Sequence, residues 1–73
     1  MDYARYIKAI ERAVNNIATK MEKTEISIDE IWIETSIPED LIVELIQNFP
    51  VEFPPNVTLI TSKKGIVWKR KET

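Results

Sequence analysis

The sequence predicts an α+β domain of three helices, one short strand and a C-terminal β-hairpin. Three observations carry that expectation. Apolar residues recur every three or four positions from Tyr3 to Met21. Two helix-start signatures, Ser27-Ile28-Asp29-Glu30 and Ser36-Ile37-Pro38-Glu39, follow one another closely. A Pro-punctuated connection then leads into two apolar runs around the chain's only glycine. At 73 residues there is room for one domain, spanning 1–73, and 44% hydrophobic with 30% charged residues fits a globular one.

The first helix is expected over 2–21. Tyr3, Tyr6, Ile7, Ile10, Ala13, Val14, Ile17, Ala18 and Met21 form its apolar face, with Asp2 as its N-cap. Its opposite face collects Arg5, Lys8, Arg12, Asn16, Thr19 and Lys23, a cationic stripe pointing away from the core. Glu25-Ile26-Ser27-Ile28 alternates and reads as a very short strand over 25–28. Ser27 with Glu30 forms a capping box that opens a second helix over 28–35, buried through Ile28 and Ile31 with Trp32 at the margin. The second signature opens a third helix over 37–49, whose inner half holds Ile37, Leu41, Ile42, Leu45, Ile46 and Phe49; Pro50 ends it. Strands at 57–61 and 66–70 flank Ser62-Lys63-Lys64-Gly65, where Gly65 supplies the positive φ a tight turn needs. Strict alternation places Ile66 and Trp68 on one strand face and Val67 and Lys69 on the other, which favours a core position for Trp68.

This order of helix, short strand, helix, three-residue turn, helix and hairpin resembles the winged-helix family of helix-turn-helix domains over nearly the whole chain. Thr35 to Pro38 looks like the family's helix-turn-helix corner, without the glycine often found there. The resemblance implies that residues 38–49 are the recognition helix and that 57–70 form the wing, with Lys63 and Lys64 at its tip.

Charge is segregated along the chain. Residues 1–24 carry five cations against three carboxylates; residues 25–52 carry eight carboxylates and no cation; residues 53–73 carry five cations against one carboxylate. Such separation points to poles that face different partners, although pairing within the fold or simple solvation would also accommodate it. The outer face of the third helix offers Glu39, Asp40, Val43, Glu44 and Gln47. Placing three carboxylates in a DNA groove opposes binding to a polyanion, and Gln47 is the one residue there with base-reading donors. That face instead suits a basic protein surface with an apolar centre. Lys63, Lys64, Lys69, Arg70 and Lys71 make a cationic patch on the wing that suits nucleic-acid phosphates without sequence preference; lysines at a hairpin also guard sheet edges.

Catalysis is disfavoured. Cysteine and histidine are absent, which removes disulfides, zinc sites of the usual kind and imidazole-based dyads and triads. No phosphate-binding loop or cofactor motif is present, so no cofactor is expected. Asp29, Glu30 and Glu34 lack metal-ligand spacing and read as first-turn charges of a helix. No apolar run approaches the ~20 residues that cross a bilayer, and no signal-peptide h-region opens the chain, so a soluble cytoplasmic module is expected. Abundant Ile, Glu and Lys without Cys or His give an archaeal-like composition. The functional expectation is an accessory or adaptor subunit of a replication or transcription assembly, docking protein through the acidic helix with the basic wing available to nucleic acid. The alternative is a DNA-binding transcriptional regulator using wing and helix 1, with homodimerisation through exposed apolar residues left open.

Overall fold

The computed structural model describes residues 3–71. In chain order these form α1 (Tyr3–Met21), β1 (Glu25–Ser27), α2 (Ile28–Thr35), α3 (Glu39–Asn48), β2 (Leu59–Ser62) and β3 (Gly65–Lys69), a small α+β fold of three helices and a three-stranded sheet. The expected Asp2 cap lies outside the described residues. No helix among them is long and apolar enough to cross a membrane.

The apolar periodicity of α1 becomes a buried face of Ile10, Ala13, Val14, Ile17 and Ala18. These join Ile26, Ile28, Ile31, Ile37, Ile42, Leu45, Ile46, Phe53, Val57 and Ile60 in one continuous core. No polar or charged residue is buried among the described residues. Arg5, Lys8, Arg12, Asn16 and Thr19 are exposed as the stripe requires. Lys23 leaves the stripe: it lies beyond the helix and pairs with Glu30. The capping box of α2 forms as read, with the Glu30 N–H donating to Ser27 Oγ and the Ser27 N–H to Glu30 Oε2 at 2.9 Å.

The second capping box does not form. Ser36 is instead the left-handed C-cap of α2, at φ 60° and ψ 15°, and its N–H donates to the Trp32 carbonyl. It takes the conformation that glycine supplies at many helix ends. Thr35 completes the corner, its hydroxyl donating to the Ile31 carbonyl at 2.8 Å and accepting from the Ile37 N–H. Pro38 disfavours helical backbone at Ile37, so α3 starts at Glu39 with the Pro38 carbonyl accepting from Leu41 and Ile42. The same restriction before Pro50 holds Phe49 extended and ends α3 at Asn48. Phe49 is then partly exposed against the Tyr3 ring, and Trp32 is 49% exposed rather than in the core.

The sheet order is β1-β2-β3. β1 runs parallel to β2, pairing Glu25 with Leu59, Ile26 with Ile60 and Ser27 with Thr61. Parallel strands need a long crossover, and α2 with α3 supplies it. β2 and β3 are antiparallel and close at Ser62 opposite Gly65, which has φ 133°. A bulge interrupts them: Ile60 faces Trp68 but Thr61 faces Ile66, leaving Val67 as the extra residue. Strict alternation fails there. Val67 and Trp68 both pack toward the core, whereas Ile66 is 60% exposed.

Arg70 closes the structure behind the sheet. Its Nε donates to the Val57 carbonyl at 2.9 Å and its Nη2 to those of Phe53 and Pro54 at 3.2 and 2.8 Å. The guanidinium lies 5.1 Å from the Trp68 ring centre, and Trp68 meets Phe53 edge-on at 4.7 Å. Replacing Arg70 with Ala orphans part-buried carbonyls and is expected to cost about 1–3 kcal/mol. Lys cannot reproduce the planar fork, so Arg70→Lys should recover little of it; urea midpoints at unchanged m value measure both.

Glu30 links stability to pH. Burial opposes its charge, but hydrogen bonds from the Lys23 ammonium and from Ser27, with the Lys23 charge, outweigh it and hold the carboxyl below its ordinary 4.5. A depressed carboxyl contributes stability that is present above its unfolded value and drains as pH falls through the folded one. Glu30→Ala should therefore cost about 1 kcal/mol at pH 7, with the gap from the natural protein closing below 4.5 in thermal melts.

Candidate functional site

The expected docking helix and the expected wing line a single groove of about 370 Å³. One wall is α3, contributing Glu39, Asp40, Val43 and Gln47, with Ile28 and Asp29 from the start of α2. The other is the hairpin from Ser62 to Val67, including Lys63 and Lys64. Half-buried Val43 and Val67 and exposed Ile66 make its apolar part. The residues are thus brought together by two local features: a helix begun late by Pro38, and a two-residue turn that lifts both lysines to the hairpin tip.

Charge is arranged by wall. Three carboxylates, Asp29, Glu39 and Asp40, stand on the helical side and two ammoniums on the hairpin. A side-chain hydrogen bond shared with Asp29 raises the Glu39 carboxyl above its ordinary value, with slight desolvation and the charges of Asp29 and Asp40 adding to it. The Lys63 ammonium pulls the other way across the groove. Carboxylates at the first turn of α3 also meet the positive end of its dipole. Among the described residues no three Asp or Glu groups converge to hold a metal ion.

The remaining sequence candidates scatter. Glu44 is exposed on α3 but outside the groove, its backbone carbonyl accepting from Asn48 Nδ2 at 2.9 Å. Lys69 and Lys71 are exposed at and beyond the end of β3, away from the groove lining. Arg70 is half-buried, with two of its guanidinium nitrogens committed to backbone carbonyls. Sequence reasoning missed Asp29, Ile66 and Val67 as groove residues. Asp29 had a local explanation as a helix-start charge, and no Gly or Pro marks the bulge that turns Ile66 outward. A separate exposed apolar pair, Trp32 and the 72% exposed Ile33, lies on α2.

No protein-family model, curated protein or solved structure matches this chain. Asp29→Asn should bring the Glu39 titration midpoint back down toward 4.5 in a carboxyl NMR titration, whereas Lys63→Ala should move it further up. A midpoint unmoved by Asp29→Asn would remove the carboxylate pair from the description.

Proposed function

We propose that this chain is a non-catalytic winged-helix module that docks a protein partner in the groove between α3 and the wing, as an accessory or adaptor subunit of a DNA replication or transcription assembly. The observation that carries the reading is the groove itself: apolar at Val43, Ile66 and Val67, with carboxylates on one wall and lysines on the other. An apolar centre rimmed by charge is the usual anatomy of a protein-docking patch, in which the charges set register and partner choice. Element order and the three-residue corner between α2 and α3 support the winged-helix reading.

A second reading, DNA binding through wing and α1, is favoured by one observation. Lys23–Glu30 is the one ion pair among the described residues, and Arg5, Lys8, Arg12, Lys63 and Lys64 are exposed. On this reading contacts are to phosphate and without sequence preference.

Asp40→Lys/Glu44→Lys tests the first reading because both side chains are exposed and the fold should survive. Capture of a cellular partner should fall tenfold or more while the thermal midpoint drops by only the few degrees that losing a first-turn carboxylate costs; undiminished capture of every partner would sink the docking face. Fluorescence anisotropy on random duplex DNA tests the second. Affinity falling with a log–log salt slope near −0.9 per phosphate, and flattened by Lys63→Glu/Lys64→Glu, would favour DNA.

A further inference from the structure

The sheet order leaves β3 at an edge, with no strand on its outer side among the described residues. That edge strand lines the groove through Gly65, Ile66 and Val67. Proteins ordinarily blunt such an edge with charges, a bulge or a covering element; here the lysines at the hairpin tip guard one end of β3 and the bulge lies at Val67. From Gly65 to Lys69, β3 carries a single charge, Lys69 at its far end, and Ile66 stands 60% exposed.

Resting on the docking reading, we propose that the occupant of the groove is an extended segment of the partner that adds to β3 as a fourth strand. It seats a β-branched apolar side chain against Val43 and Ile66, with a basic residue toward Asp29, Glu39 and Asp40 and an acidic residue toward Lys63 and Lys64.

Three considerations select this occupant. Strand addition draws affinity from main-chain hydrogen bonds along a free edge and specificity from pockets for alternate side chains, and the groove offers both. Its volume of about 370 Å³ leaves room for a few side chains beside an added strand. The walls differ in sign, so a segment carrying both charges is matched and one of a single sign is opposed at one wall.

A second copy of this chain fits less well. Antiparallel pairing of two β3 edges would set Lys63 and Lys64 of one copy beside Lys69 and Lys71 of the other, opposing like charges at both ends.

Selection from a display library of random dodecapeptides against the natural protein tests the proposal. Enriched sequences should carry a basic residue, a β-branched residue and an acidic residue within a short span. Synthetic, terminally blocked versions should lose tenfold or more in affinity on backbone N-methylation at alternate positions and little at the positions between. Amide exchange at Gly65–Lys69 should slow on binding, and Asp40→Lys should weaken binding tenfold in a protein that still unfolds cooperatively. Strand addition is overturned by a library that enriches no sequence, by ligands indifferent to N-methylation or helical when bound, or by a ligand-free protein that sediments as a β3-paired dimer. If it is overturned while Asp40→Lys/Glu44→Lys still abolishes capture of the cellular partner, docking stands with a different occupant; if that capture is also unchanged, both readings fall.

Discussion

The three residue pairs between β1 and β2 hold the two halves of this chain together. Ile26 and Ile60 face one another at the centre of that ladder, and both are buried. The Thr24 carbonyl extends the junction by accepting from both the N–H and the hydroxyl of Thr58, and the Thr58 carbonyl accepts in turn from the Arg70 N–H. A parallel pair cannot be made by a hairpin, so the intervening helices must cross over between its strands. α2 packs on α1, α3 and the sheet, and α3 comes to lie against β3. The groove is a by-product of that crossover: its walls are distant in sequence and meet because β2 enters the sheet beside β1 and carries β3 back against α3.

What was legible in the sequence follows from how local each determinant is. The α1 face, the Ser27–Glu30 capping box and the glycine at the hairpin are written within a few residues, and each took the form its residues dictate. The start of α3 was misplaced because a capping pattern and a proline competed at the same site. The constraint that Pro38 places on Ile37 prevailed, and Ser36 was left to end α2. The bulge at Val67 had no punctuation to announce it, so alternation assigned Ile66 to the wrong side. Both halves of the candidate site were visible as residue sets, the acidic outer face of the third helix and the lysine-tipped hairpin. Their sharing one groove was not visible, because it depends on long-range pairing that composition and period do not encode.

The near-neutral total of −2 conceals an uneven field. Along the groove, opposite charges stand on opposed walls, with Lys63 close enough to act on Glu39, so the cleft is electrically polarised across its width. The α1 stripe is on a helix that packs on α2, α3 and β1 rather than on the hairpin, which keeps its cations apart from those of the hairpin tip. Lys23 and Arg70, which composition alone groups with these two patches, are engaged internally with Glu30 and with backbone carbonyls. Counting lysines and arginines therefore overstates the cationic surface.

The two tryptophans occupy unlike surroundings. Trp32 stands half in solvent on α2, whereas Trp68 packs in a T-shaped pair with Phe53 and under the Arg70 guanidinium, next to the bulged Val67 of the groove wall. Indole emission follows local polarity and the collisions that quench it, so the chain carries a solvated fluorophore and a shielded one. Light collected from Trp68 reports on the strand that forms the groove, and light from Trp32 serves as its internal reference.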